Sequence, residues 1–486
     1  MKQMRWLVVC YYLILLLGSS GSTVQGQSLA QHPAIAGKIQ LLEHWLQAQL
    51  DYYHLPGMSV GIVYDQKLLW ARGFGLSDVE RKIHASPSTI YRIASITKLF
   101  TCTAIMQLRD QGCLQLDDPI EKYLPWFRIQ YKFPDAPPIT IRQLMTHTSG
   151  LPREAAFPYW TDHQFPSREQ MIEKLPQQET IYPAATKWKY SNLGMALLGE
   201  IVVAVSGEDY ETYIQKHILS PLQMQSTSVN LTAEHHKRLA IGYGRLLPNG
   251  KRKTMPLTDA KGLTPAANMS STVEDLARFI MFQFREDHGD AAPILKRSTV
   301  LEMQRVHWLQ PNWQSGWGLG FSISHRGDKT FIGHGGWVAG YRTQILLCPA
   351  DKIGIIVMCN AEDASPAFFA NRIFDVIAPA IADATEKPKP AAEIQPGWEK
   401  YLGRYTDPTD WQYEVMIVNQ QLVLYGYDYP PEENPTENVI ELTPVGEHTF
   451  RLTGDNGDGE LLIFELAADG SVARIKKGEN YLYPVK

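Results

Sequence analysis

The chain has 486 residues, 44% of them hydrophobic, and a formal net charge of −5. That length and apolar content suffice for a full core and for two or more domains. The acidic balance, with no basic cluster, excludes nucleic acid as a partner. In chain order, Lys2 and Arg5 give a positive start, Trp6 through Leu17 form an apolar run, and a small, polar stretch follows from Gly18 to Gly26. This reads as a signal peptide over 1–26 and predicts an exported protein, periplasmic or extracellular. The apolar run is shorter than the about 20 residues a membrane span needs. Cys10 lies inside it without a small residue before it, which argues against a lipid anchor.

Residues 27–385 read as one large α+β domain. An amphipathic helix is predicted from Ile35 to about Tyr53, then strands at Met58–Tyr64 and Lys67–Gly75. Residues 94–111 are apolar almost all round, which places that helix at the centre of a domain, and Gly112 ends it. Leu151 to Pro183 reads as long loops. A helix follows from Leu193 to Val205, stopped near Gly207. Strands at Gly320–His325, Lys329–Gly335, Tyr341–Cys348 and Ile353–Asn360 form an antiparallel meander, with Arg326-Gly327-Asp328 as a hairpin turn. A helix from Ala364 to about Ile381 closes the domain. The pattern predicts an antiparallel sheet flanked by terminal helices, with a helical insertion between its halves.

Residues 386–396, rich in proline and alanine, have linker character. From 397 to 486, short β-rich segments alternate with glycine and asparagine turns: Tyr413–Val418, Gln421–Tyr425, Val439–Pro444, Thr449–Leu452, Leu461–Leu466 and Val472–Lys476. This spacing predicts a small antiparallel β-barrel with no catalytic constellation of its own. Beyond the leader, Cys102, Cys113, Cys348 and Cys359 are expected as buried free thiols. No metal-ligand spacing occurs, so neither a metal nor another cofactor is implied. Asn230-Leu231-Thr232 and Asn268-Met269-Ser270 are glycosylation acceptors only in a host that glycosylates.

Three spaced motifs carry the chemistry: Ser95-Ile96-Thr97-Lys98, Tyr190-Ser191-Asn192 and His334-Gly335-Gly336. A helix puts the Ser95 hydroxyl and the Lys98 amine on one face, so the lysine can take the serine proton without a histidine relay. Taken alone, Ser95 is explained as a helix N-cap and Ser191-Asn192 as another. Lys98 is flanked by apolar positions, and burial there favours its neutral form. Tyr190 is a candidate to pass the proton on, and Asn192 to hold a substrate amide.

With Leu144-Met145-Thr146-His147-Thr148-Ser149-Gly150-Leu151-Pro152, Leu116-Asp117-Asp118-Pro119-Ile120 and Gly316-Trp317-Gly318-Leu319-Gly320, these motifs make residues 35–380 resemble the serine β-lactamase and penicillin-binding-protein family, in its class C-like branch. Tyr401-Leu402-Gly403-Arg404-Tyr405 is similar to the opening of the lipocalin-like tail of some relatives. The resemblance implies a β-lactamase-like fold and a serine hydrolase with Ser95, Lys98 and Tyr190 catalytic. Asn192, His334, Gly335, Gly336 and Trp337 would bind substrate, the last through a backbone N–H. His334 and Gly335 stand where most relatives carry Lys-Thr of Lys-Thr-Gly. A titratable imidazole, partly charged at neutral pH, is expected to read a substrate carboxylate there. Histidine variants occur among D-aminopeptidase, D,D-peptidase and esterase relatives. His147 is expected to tie down its loop. The expected partner is a small-molecule or short-peptide substrate, with cell-envelope association and no protein partner. The competing readings are a β-lactamase and a non-catalytic penicillin- or peptidoglycan-binding protein.

Overall fold

The computed structural model describes residues 29–286, 294–385, 395–418, 420–427, 438–454 and 456–485. The predicted leader and most of the predicted linker lie outside the described residues. Two compact units divide the chain between Ala384 and Thr385. No helix among the described residues is long and apolar enough to cross a membrane.

In the first unit, helix α1 (Pro33–Tyr52) has proline at its first position, where the missing N–H costs nothing. Strands β1 (Gly57–Tyr64), β2 (Lys67–Asp78), β3 (Ile83–His84) and β4 (Tyr91–Arg92) follow, then helices α2 (Thr97–Asp110) and α3 (Asn192–Ser206). Next come β5 (Ser270–Ser271) and α4 (Val273–Phe284). The last stretch holds β6 (Trp308–Leu309), β7 (Ser315–Trp317), β8 (Ser322–Arg326), β9 (Lys329–Val338), β10 (Tyr341–Cys348), β11 (Ile353–Cys359) and α5 (Pro366–Thr385). Nine of these strands form one sheet in the order β3-β2-β1-β11-β10-β9-β8-β7-β6, so both ends of the unit meet where β1 pairs antiparallel with β11.

Strand parity sorts the side chains into two cores. Met58, Val60 and Ile62 of β1 cluster with Leu42 and Leu46 of α1 and Ile373 and Ile377 of α5. On the opposite face α4 sits so close that a Cβ on Gly61 would lie 2.5 Å from Val273 Cγ1, and one on Gly354 2.5 Å from Ile280 Cγ2. With both faces covered, all seven residues of β11 are buried, which is why that strand is a continuous apolar run. Helix α2 is buried from Thr97 to Leu108, as its all-round apolarity requires. Gly207 ends α3 at φ +73°, a conformation that suits glycine.

Two differences from the sequence reading stand out. The stretch read as loops from Leu151 to Pro183 contains short helices at Tyr159–Asp162 and Arg168–Lys174. The second starts on a capping box, with Ser167 Oγ accepting from the Gln170 N–H and the Gln170 carboxamide accepting from the Ser167 N–H. Cys113 is exposed rather than buried, because it follows the turn that ends α2; Cys102, Cys348 and Cys359 are buried and free.

The second unit begins with a 3₁₀ turn at Trp398–Tyr401 and continues as eight strands: β12 (Gly403–Thr406), β13 (Gln412–Val418), β14 (Gln421–Tyr427), β15 (Val439–Gly446), β16 (Thr449–Thr453), β17 (Leu461–Leu466), β18 (Val472–Lys477) and β19 (Asn480–Pro484). Each pairs with the next, and β12 pairs with β19, closing an antiparallel barrel. Closure leaves no free edge. Its interior is filled by Tyr401, Phe450, Phe464 and aliphatic neighbours, with the Tyr401 and Phe464 rings stacked at 4.1 Å.

Candidate active site

Ser95 lies in a 3₁₀ turn, Ala94–Ile96, that feeds directly into α2. Ala94 has φ +46°, the left-handed region that costs a residue with a Cβ about 1–2 kcal/mol. Complete burial of Ile93, Ala94 and Ile96, and the Ile93 N–H bond to the Met269 carbonyl at 2.9 Å, hold the turn against that cost. Ser95 itself remains partly exposed at the head of the helix, where unpaired N–H groups and the dipole favour negative charge.

One turn on, Lys98 is fully buried. Its Nζ lies 3.0 Å from Ser95 Oγ and donates to the Ala266 carbonyl at 2.8 Å. Burial pushes its pKa down to about 7, the nearby Glu154 carboxylate working against that shift and the Arg153 guanidinium with it. A neutral Lys98 keeps one N–H on Ala266 and turns its lone pair to the Ser95 hydroxyl, which is the arrangement a general base requires. The ring of Tyr190 covers the amine, with Nζ 4.9 Å from its centroid. Burial raises the Tyr190 phenol well above its usual range, partly offset by a hydrogen bond with Ser95. The phenol is therefore protonated at neutral pH, a proton donor beside a depressed amine.

Ser191 caps α3, its Oγ accepting from the Gly194 N–H at 2.9 Å, so capping and site-building coincide in this motif. Asn192 is the first residue of that helix and is buried. His147 ties the motif to its own loop: Nδ1 accepts from the Ser191 N–H at 3.2 Å, and the imidazole packs 4.3 Å from the Tyr190 ring. Burial above all, with the basic groups of Lys98, His334 and Arg153 nearby, holds His147 well below its ordinary pKa. It is the loop anchor expected, and it is neutral.

His334, Gly335, Gly336 and Trp337 lie on β9, opposite Ile345, Gln344, Thr343 and Arg342 of β10. A Cβ on Gly336 would sit 2.2 Å from both the Ile93 carbonyl oxygen and Thr343 Oγ1, so this glycine is what lets β9 approach the Ser95 turn. The expectation of a half-charged His334 is corrected. Burial, with Lys98 nearby, pushes its pKa down to about 3. The Gly335 carbonyl can only accept, so the 2.7 Å contact fixes the proton on Nδ1 and leaves Nε2 as a buried acceptor without a partner. Such an imidazole presents a lone pair, not a positive charge.

These groups share one cleft of about 1200 Å³ whose lining includes Ser95, Tyr190, Asn192 and His334. One wall stacks Trp160 on Trp337 at 5.3 Å and 18°, and Arg342 lies over Trp337 at 5.3 Å. Arg153, Lys189, Arg245, Glu362 and Asp363 also line it. The motif reading did not anticipate Glu154, whose carboxylate accepts from Asn192 Nδ2, Arg153 Nε and the Tyr159 phenol. Nor did it give a site role to Trp188, or to Trp317 of the Gly316-Trp317-Gly318 stretch, which pack against His147 and each other. The available signal was position: Arg153-Glu154 directly follows Leu151-Pro152. Of the two glycosylation patterns, Asn268 is buried, accepts from Arg92 and donates to Val229 and Asn230, which leaves no room for a glycan.

Residues 42–378 match the family model described as Beta-lactamase. Protein flp of Staphylococcus aureus (strain MW2) is 32% identical over 329 residues, covering 66% of this chain and 62% of that protein. The match thus spans less than two thirds of that relative's length. The octameric penicillin-binding protein homologue from Pyrococcus abyssi superposes with a TM-score of 0.62 at 27% identity, covering 91% of this chain and 99% of that one. The beta-lactamase/D-alanine carboxypeptidase from Yersinia pestis, complexed with citrate, shares the fold at a TM-score of 0.61 and 24% identity, covering 71% and 98%.

Proposed function

The chain belongs to the β-lactamase family, and from that premise we propose that it is an exported serine hydrolase working through an acyl-enzyme on Ser95. The observation that carries this reading is the 3.0 Å contact between Ser95 Oγ and a fully buried Lys98 amine. In the acylation step, neutral Lys98 accepts the Ser95 proton as Oγ attacks the substrate carbonyl. The oxyanion is held by the backbone N–H groups of Ser95 and Trp337. The Tyr190 phenol hands a proton to the leaving group and is reprotonated from Lys98. Water or an amine then takes the acyl group by the reverse path.

The substrates proposed are short peptides with D-residues, or small esters and amides. An uncharged His334 and the missing hydroxyl at Gly335 speak against efficient β-lactam hydrolysis, since neither supplies the charge and hydroxyl of Lys-Thr. The intact Ser95, Lys98 and Tyr190 speak against a purely binding role. Export, with cell-envelope association, rests on the basic and apolar opening from Lys2 to Leu17. The test is a panel of D-amino-acid amides, short-chain esters and a chromogenic cephalosporin. Turnover of the first two classes with slow cephalosporin hydrolysis supports the reading; rapid cephalosporin hydrolysis replaces it with a β-lactamase.

A further inference from the structure

The side chain of Asn192 has a fixed sense. Its Nδ2 donates to both oxygens of Glu154, at 2.9 and 3.0 Å. A carboxylate only accepts, so the nitrogen faces Glu154 and Oδ1 faces away. That oxygen is buried and unpartnered, in a residue that lines the cleft with Ser95. Both halves of the pair are anchored. Glu154 is also held by Arg153 Nε at 3.0 Å and by the Tyr159 phenol, and the Asn192 backbone N–H donates to the Arg153 carbonyl at 2.7 Å. His334 Nε2 is a second buried acceptor without a partner in the same cleft. Two orphan acceptors in residues that line the nucleophile's cleft call for a ligand that brings donors.

We propose that Glu154 is a positioning residue that turns Asn192 acceptor-outward, so that the cleft selects acyl donors presenting an N–H group, such as a free α-amine, over donors presenting only acceptors. This rests on the reading of Ser95 as the acylated nucleophile. An Asn192 turned the other way would donate its N–H to a substrate carbonyl instead. With glutamate at 154 that orientation would set two oxygens against each other.

The test compares three p-nitrophenyl esters of similar size: alanyl (both enantiomers), isobutyryl, in which a methyl replaces the amine, and 2-methoxypropionyl, which only accepts. Each kcat/KM is divided by the uncatalysed hydrolysis rate. The expected order places the better alanyl enantiomer at least about tenfold above the other two esters, the discrimination that one unmet buried acceptor supports. Glu154→Gln can present either end of its amide to Asn192, so it should cut that ratio at least about fivefold. A native protein that turns over the 2-methoxypropionyl ester as well as the alanyl ester overturns the proposal, and needs no variant to fold. A folded Glu154→Gln protein with an unchanged ratio overturns the positioning role. Ser95 labelling by a fluorophosphonate separates the two levels: labelled protein with no selection fails only this inference, whereas unlabelled, inactive protein fails the hydrolase reading and this inference with it.

Discussion

Lys98 Nζ lies 3.0 Å from Ser95 Oγ at the head of a helix that is buried from Thr97 to Leu108. The packing that makes α2 the centre of its unit therefore also sets the protonation of the base. A solvated lysine would remain charged at neutral pH; here burial brings the pKa down to about 7, within reach of a working base.

The first expected outcome concerns pH. Lys98 accepts a proton only when neutral, so kcat/KM for a neutral ester should rise with pH through about 7 and then level off. Tyr190 is pushed upward by burial, so its ionisation adds no falling limb in the mildly alkaline range. A pH profile of kcat/KM checks this. An ascending limb centred near the ordinary lysine value of about 10.4 would remove Lys98 from the role of base.

Because His334 stays neutral, it should not read substrate charge. A carboxylate-bearing ester and its neutral counterpart are expected to share one ascending limb, with no added acidic preference for the carboxylate. Parallel pH profiles test the point. A preference for the carboxylate that grows as pH falls through about 6.5 would mean the imidazole is accessible and titrating.

The two glycines of the third motif should respond differently. Gly336→Ala puts a methyl group 2.2 Å from the Ile93 carbonyl oxygen, which is backbone and cannot yield without moving the Ser95 turn. Acylation should fall by more than about tenfold and stability by about 1–3 kcal/mol. Gly335→Ala meets only the end of the Gln344 side chain, at 3.0 Å, which can swing away, so its acylation rate should stay within about threefold. Burst-phase kinetics and thermal unfolding of both variants measure these effects. Equal behaviour of the two would refute the close-approach role of Gly336.

Every candidate site residue falls within 42–378, and the barrel forms a separate compact unit. A chain ending at Thr385 is expected to fold and to take a fluorophosphonate on Ser95. Loss of labelling in a folded truncate would show that residues beyond 385 belong to the site.

Much of this was legible in residue order. The meander and six of the barrel strands follow from alternation and turn residues, both local signals. The closing strands β12 and β19, four and five residues long, were missed as strands; each is short, and the pairing that joins them, Tyr405 opposite Pro484, links the two ends of the barrel sequence and leaves no local signal. Ser95 and Lys98 were legible because three positions of helix bring them together. Glu154 was not, because its meaning comes from Asn192, 38 positions away. The charge of His334 was misjudged for a related reason. Its burial is produced by the sheet and by the elements around it, and no neighbour in sequence announces it.

The most direct measurement is the intact mass of the native protein and of Ser95→Ala after brief reaction with an activated ester and acid quench. A single acyl adduct is expected on the native protein, mapped to the peptide containing Ser95, and none on a folded alanine variant. A Ser95→Ala protein that still gains the acyl mass at another residue would contradict this expectation.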